Sequence, residues 1–283
     1  MSEPIYFVNG KFIPSSKALL HVSDLSIMRG YGVFDFLITY NNKPFLLDNH
    51  LNRLGNSAKI IGLKLPYNKT KIKKFVLKTL NKNSYKQEKA IRIVVTGGLS
   101  LAPDYVKAKD NASLVITVDP KHLYPQEYYL KGVKVITYNH KRPYPEVKSI
   151  NYITALKAQA EARAKNAIEA IYVYNSLIYE ATTSNLFAVI NNTLITNIQD
   201  VLPGITSSVV QKLAPKIVKF ISRPIKISEI KNFSEAFITA SNKEVMPVIR
   251  INDQKIGDGK VGLVTKKIIK LFKEYTKNYD LHH

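Results

Sequence analysis

Hydrophobic and polar positions along the chain fall into short blocks whose period changes from one block to the next. Tyr6-Phe7-Val8 and Lys11-Phe12-Ile13 flank Asn9-Gly10, two residues that tolerate the positive φ angles of a tight turn, so the chain opens with a predicted hairpin. Val33 to Tyr40 is an almost unbroken apolar run, which predicts a buried strand ending at a turn over Asn41-Asn42. Leu51, Leu54, Ala58 and Ile61 recur at three- and four-residue intervals, giving a helix over residues 48–63 with Asp48 as its cap. A second helix is expected over 69–81, and strands over 91–96 and 113–119. Periodicity is lost over 120–132, a polar stretch carrying prolines and three tyrosines. Beyond it the pattern predicts strands at 133–138, 170–175, 185–190 and 235–240. Helices are expected at 152–166, 206–220 and about 261–278, with a turn at Asn191-Asn192.

These elements mix without regular strand–helix–strand alternation. The expected fold class is therefore α+β in two domains: a small N-terminal domain (1–119), a linker (120–132) and a larger C-terminal domain (133–283). A length of 283 residues agrees with two unequal domains. Gly257-Asp258-Gly259-Lys260-Val261-Gly262 matches a dinucleotide-binding fingerprint, but too little chain follows for a second strand to complete such a unit. A tight glycine turn into the last helix explains it better.

Composition narrows the function. With no cysteine there is no disulfide, thiolate metal site or cysteine nucleophile, and the six histidines do not pair at ligand spacing except at the terminal doublet. No metal is expected. No apolar run follows a basic start, and none approaches the ~18 residues of a membrane helix, so the expectation is a soluble, cytoplasmic protein without a membrane partner. The net charge of +21 invites a nucleic-acid reading. However, the basic residues are spread along the whole length and no RNA- or DNA-binding signature accompanies them; a lysine-rich solvated surface accounts for the charge. Only seven of the 42 basic residues are arginine (29, 53, 92, 142, 163, 223 and 250). Where lysine is the default cation, a retained arginine hints at a planar donor for carboxylate or phosphate.

Five places could carry chemistry. Arg53 lies on the 48–63 helix beside core Leu54, either as a surface residue or as a fork turned toward a phosphate. Leu202-Pro203-Gly204-Ile205-Thr206 puts free N–H groups and a hydroxyl at a helix start, an anion site or an ordinary cap. Thr239-Ala240-Ser241-Asn242 is a second donor loop after a strand. Glu180 lies between two apolar strands, where a carboxylate is costly without a partner; a protonated heterocyclic nitrogen and a surface turn are the alternatives. Lys148 could serve as a nucleophile toward an aldehyde, but among so many lysines its position alone selects nothing.

In order along the chain, Arg29-Gly30-Tyr31-Gly32-Val33-Phe34-Asp35, the 50–54 segment, Lys148 to Tyr152, Glu180 to Phe187, Leu202 to Thr206 and Thr239 to Pro247 resemble the motifs of the fold-type IV pyridoxal 5'-phosphate (PLP) enzymes. That family includes branched-chain and D-amino-acid aminotransferases and aminodeoxychorismate lyase. The resemblance spans nearly the whole chain and implies the two-domain D-amino-acid aminotransferase-like fold. It also implies Lys148 as the Schiff-base lysine that shuttles a proton, and Arg53, Ile205, Thr206, Ser241 and Asn242 as the phosphate site. Glu180 is implied at the pyridine nitrogen, Leu202 against the ring face and Tyr152 near the cofactor. Ser207, where the family usually has Arg or Lys, departs from the pattern, and the spacing from Thr196 to Leu202 is slightly short; both concern the phosphate side.

The 21–32 segment is similar to a D-amino-acid aminotransferase subgroup that lacks the better-known carboxylate trap. The resemblance points to Arg92 and Arg29 for the substrate carboxylate, with Arg29 supplied by a neighbouring subunit, and to Tyr31 and Phe34 for the side-chain pocket. A homodimer using amino acids and 2-oxo acids is expected. Branched-chain L-transamination, lyase chemistry and a non-catalytic polyanion-binding role are the alternatives.

Overall fold

The computed structural model describes residues 3–100 and 111–279. It divides by contacts into two compact units: the chain up to His122 together with Val147–Asn151, and Leu123–Glu146 together with Tyr152 onward.

In the first unit the strands are β1 (Ile5–Val8), β2 (Lys11–Pro14), β3 (Gly32–Tyr40), β4 (Lys43–Pro44), β5 (Lys89–Thr96) and β6 (Ser113–Pro120). The helices are α1 (Leu25–Arg29), α2 (Leu47–Ile60) and α3 (Lys69–Asn81). The strands form one six-stranded sheet in the order β2-β1-β6-β5-β3-β4. Alternation on β3 sends Val33 and Leu37 into a core shared with Leu51, Leu54 and Ala58 of α2 and Ile72 and Val76 of α3. Asp48 does not cap α2, as the sequence pattern had suggested. The cap position is Leu46, with φ 48°, while Asp48 lies in the first turn and its carboxylate meets Lys73 at 2.6 Å.

The second unit contains α4 (Gln126–Lys131), β7 (Val133–Asn139), α5 (Ile153–Ala164), β8 (Glu169–Tyr174), β9 (Leu177–Ala181), β10 (Asn185–Ile190) and β11 (Thr193–Thr196). It continues with α6 (Ile205–Leu213), β12 (Lys219–Ser222), β13 (Ile225–Lys226), β14 (Glu235–Ala240), β15 (Glu244–Ile251), β16 (Gln254–Lys255) and α7 (Leu263–Lys277). Its ten strands form one sheet, ordered β12-β11-β10-β14-β15-β7-β8-β9-β13 with β16 on β15. Two differences from the sequence pattern have clear causes. The helix expected over 206–220 stops at Leu213, because Pro215 lies in a 3-10 turn and the chain re-enters the sheet as β12 beside β11. The aperiodic 120–132 stretch holds α4, and Tyr124, Tyr128 and Tyr129 pack against the second core.

Four hairpins turn through residue pairs with positive φ at both positions: Asn9-Gly10, Asn41-Asn42, Asn175-Ser176 and Asn191-Asn192. Asparagine reaches this region at little cost, and such turns match the right-handed twist of the strands they join. No helix among the described residues is long and apolar enough to cross a membrane.

Candidate active site

Helix α2 buries two stripes. Leu47, Leu51, Leu54 and Ala58 face the core, while His50, Arg53 and Ser57, spaced by three and four residues, form a second buried stripe that is polar. Buried polar groups need partners, and the neighbouring strand supplies one. Asp35 on β3 is fully buried and takes Arg53 in a two-point fork, Nε to Oδ2 at 2.9 Å and Nη2 to Oδ1 at 2.8 Å. His50 Nδ1 lies 2.7 Å from Asp35 Oδ1. Burial alone would raise the Asp35 carboxyl; the Arg53 guanidinium and His50 beside it more than reverse this and hold it below the usual carboxylate range. Burial lowers the His50 imidazole despite Asp35, with Arg53 and Lys148 acting in the same direction. A neutral ring beside a carboxylate donates through Nδ1–H. The approach of Arg53 Nη2 to that same nitrogen at 3.4 Å is then a contact and not a hydrogen bond.

Ser57, the third member of the stripe, accepts the backbone N–H of Lys148 at 3.1 Å. The strip around Lys148 is held further by Phe34 N–H to the Lys148 carbonyl at 2.9 Å and Ile150 N–H to the Gly32 carbonyl at 3.1 Å. Lys148 is half-buried, with Nζ 4.6 Å from the centroid of the Phe34 ring. Arg92, exposed on β5, places its guanidinium 5.5 Å from the same ring and 5.7 Å from that of Phe36. Strand pairing explains this, since Arg92 is opposite Phe36 and so shares a face with Phe36 and Phe34. Tyr31 spends its hydroxyl on the Ile61 carbonyl at 3.0 Å. Arg29 is exposed at the end of α1, where Gly30 closes the helix at φ 63°, and its Nη1 donates to the Met28 carbonyl at 2.8 Å.

The second unit collects the remaining predicted residues. Glu180 is buried within β9, not at a surface turn. Its Oε1 accepts Arg142 Nε at 2.8 Å and its Oε2 accepts the Leu202 N–H at 2.9 Å. Asn185 donates to the Leu202 carbonyl at 2.9 Å, so Leu202 is held through both of its backbone groups. Gly204 allows the close approach that follows: a Cβ there would stand 1.9 Å from Asn185 Oδ1. Helix α6 then begins at Ile205 and Thr206 with no side-chain cap, leaving its first N–H groups pointing out of the helix start.

Thr239 is the cross-strand partner of Asn185, and its Oγ1 is a buried hydroxyl without a hydrogen-bond partner among the described residues. A buried hydroxyl without a partner and an uncapped helix start are both groups that an anion can satisfy. Ser241 and Asn242 follow on the same loop, half-buried, with Asn242 Nδ2 donating to the Tyr124 hydroxyl at 3.3 Å. Tyr152 is half-buried at the start of α5.

Sequence reasoning missed Asp35, His50 and Arg142. A signal existed for the first two. Asp35 interrupts a strand otherwise read as buried, and His50, Arg53 and Ser57 share the spacing of one helix face. Arg142 had only its scarcity to mark it.

The amino-transferase class IV family profile matches residues 32–251. A putative branched-chain-amino-acid aminotransferase of Methanocaldococcus jannaschii is 32% identical over 278 residues, covering 95% of each chain. A D-alanine aminotransferase of Staphylococcus aureus is 26% identical, covering 97% of this chain and 99% of its own. The branched-chain aminotransferase of Escherichia coli has the same fold, with a TM-score of 0.91 at 24% identity over 98% of this chain and 96% of its own. Another branched-chain aminotransferase, solved with pyridoxamine 5'-phosphate, aligns with a TM-score of 0.90 at 23% identity, covering 98% and 95%. The chain belongs to the class IV aminotransferases, and the fold-type IV architecture expected from its motifs is the one it adopts.

Proposed function

We propose that this aminotransferase uses PLP to move the amino group of a D-amino acid to a 2-oxo acid such as 2-oxoglutarate. The donor set suits that cofactor. An aldehyde needs an amine, offered by Lys148, and a phosphate dianion needs N–H and hydroxyl donors, offered at Ile205, Thr206, Thr239, Ser241 and Asn242. A ring nitrogen that carries a proton needs a carboxylate, offered by Glu180. Arg53 joins the phosphate donors, since a guanidinium presents its N–H groups in one plane and the fork to Asp35 fixes that plane's orientation. When bound, the cofactor supplies the aldehyde that captures the amino group and the electron-poor ring that makes Cα–H acidic.

The chain's own residues do the rest. Lys148, once its amine is released, takes the proton from the substrate Cα and returns it on the other side of the transfer. Glu180 stabilises a proton on the ring nitrogen, and Arg142 and the Leu202 N–H hold that carboxylate in place. Leu202 and Tyr152 flank the ring. Arg92 binds the substrate carboxylate, with Arg29 of a neighbouring copy in a homodimer as its second donor, while Tyr31 and Phe34 border the side-chain pocket.

One observation carries the substrate reading. The Lys148 ammonium and the Arg92 guanidinium meet the same Phe34 ring. The residue that must reach Cα and a fork suited to an α-carboxylate thus share one aromatic platform. The Staphylococcus aureus relative supports a D-amino acid. A second reading, transamination of branched-chain L-amino acids, is favoured by the Methanocaldococcus jannaschii relative.

Assay of D-alanine, D-leucine, L-alanine and L-leucine with 2-oxoglutarate separates the two. Turnover of the D-enantiomers is expected, and L-leucine turnover with inert D-substrates would establish the second reading instead. Arg92→Lys is expected to raise the apparent KM for the D-amino acid about tenfold, the value of a two-point charge-assisted contact; an unchanged KM removes Arg92 from the site. For the cofactor, borohydride reduction followed by peptide mass spectrometry should find a pyridoxyl group on the peptide carrying Lys148.

A further inference from the structure

Away from the proposed contacts, the second unit buries a complete ion pair. Glu169 on β8 and Lys243, at the end of the Ser241-Asn242 loop, are both almost wholly excluded from solvent, with Nζ 3.3 Å from Oε2. Glu169 also gathers the loop between β9 and β10. It accepts Thr182 Oγ1 at 2.9 Å, Thr183 Oγ1 at 2.7 Å, Ser184 Oγ at 2.7 Å and the Thr183 N–H. Lys243 reaches into the same loop, donating to Thr183 Oγ1 at 2.7 Å. From the other side, the Tyr129 hydroxyl donates to the Lys243 carbonyl at 3.1 Å, and the Tyr124 ring lies 5.8 Å from Nζ. Burial would raise the Glu169 carboxyl; the ammonium and the hydroxyls reverse this and keep it ionised.

A buried pair of this kind is poor evidence for added stability, because desolvating two charges offsets much of their attraction. What it does fix is register. One loop it grips follows Thr239 and carries Ser241 and Asn242; the other, residues 182–184, leads into Asn185, which in turn holds Leu202 and approaches Gly204. We propose that Lys243 and Glu169 are positioning residues that clasp the two donor loops in the spacing a phosphate group requires, so that affinity for the phosphorylated cofactor depends on a pair that never touches it. The inference rests on the PLP reading above. It places the effect on the phosphate end specifically, because the clasp grips the loop of anion donors, while Glu180 keeps its own bonds to Arg142 and Leu202.

The test compares PLP with pyridoxal, which lacks the phosphate, by equilibrium dialysis against apoprotein of wild type, Lys243→Met and the doubly neutral Lys243→Met/Glu169→Gln. The double variant leaves no buried charge unpaired; circular dichroism melting establishes that it is folded. The PLP dissociation constant should rise about tenfold or more in both variants while that for pyridoxal stays within about twofold, the weight of one charge-assisted hydrogen bond being lost at the phosphate end alone. A folded double variant with wild-type PLP affinity overturns the clasp, and so does equal weakening of PLP and pyridoxal, which would mark a merely structural pair. Wild-type protein that takes up no PLP at all would instead overturn the cofactor reading.

Discussion

Asp35 and Glu180 are both buried carboxylates paired with arginine, yet the proposed function uses them in opposite ways. Asp35 has no exposed surface and divides its oxygens among two side chains of one helix, Arg53 and His50, and the N–H of its own neighbour Phe36. Glu180 shares its oxygens between a backbone N–H and Arg142, whose side chain is 23% exposed. On that reading the first unit uses the carboxylate as the fixture and aims the arginine, while the second uses the arginine and the backbone as fixtures and aims the carboxylate. The lesson is that an ion pair does not itself say which partner faces a ligand: in both pairs the carboxylate is the more enclosed partner, so burial alone does not assign the roles.

Variants should separate these roles. The largest effect is expected at the proposed Schiff-base lysine: Lys148→Ala should lower kcat by at least about 10³-fold, the range of a lost proton-transfer group and covalent anchor. Turnover near wild type in a spectrophotometric transaminase assay would remove Lys148 from the mechanism. Next, Asp35→Asn leaves Arg53 buried and without its carboxylate, and should destabilise the fold by about 3–5 kcal/mol in urea unfolding at pH 7. Glu180→Gln should do the reverse. Stability should fall by less than about 2 kcal/mol, because Arg142 retains access to water, while kcat falls about 10²-fold. If the two variants exchange these phenotypes, the assignment of support and aimed group is wrong.

Acid sharpens the same contrast. The folded protein holds Asp35 below its ordinary value, so its contribution is complete above about pH 3.9, the value in an unfolded chain, and is lost as pH falls through the lower folded value. His50 is also held low, so the unfolded chain takes up its proton first and stability declines as pH falls below about 6.5. Denaturant titrations between pH 7 and 3 should therefore show wild type losing stability toward acid, with the gap to Asp35→Asn narrowing below about pH 3.9. The smallest effect belongs to Asp48, half exposed beside Lys73 and Lys69: Asp48→Ala should cost at most about 1 kcal/mol.

Much of the architecture was legible. The Asn9-Gly10 hairpin, the 69–81 helix and the strand ending at Asn41-Asn42 follow from turn chemistry and period, and the structure places them there. The failures were local. Strand β9 was passed over because Asn175-Ser176 is a weaker turn signal than Asn-Gly or Asn-Asn. The helix after Thr206 was drawn through Pro215, which ends it. Motif order identified candidates on both units, but it assigned Arg53 and Glu180 directly to a cofactor and was blind to Asp35 and Arg142, their nearest neighbours. Those partners are 18 and 38 residues away in sequence, and only tertiary pairing reveals them. Lys243 was hidden differently: one lysine among 35 carries no compositional signal.

The first unit is discontinuous. Five residues, Val147–Asn151, leave the second half of the chain and lend three backbone hydrogen bonds and one buried valine to the first. A polypeptide ending at His122 would lack that insert, exposing the Gly32–Phe34 backbone to which it binds, and would lack Lys148. Exchanging halves between related enzymes after His122 would therefore separate Val147–Asn151, with Lys148, from the β3 backbone and Ser57 that hold it. No single cut in this chain can part the two units and keep both whole.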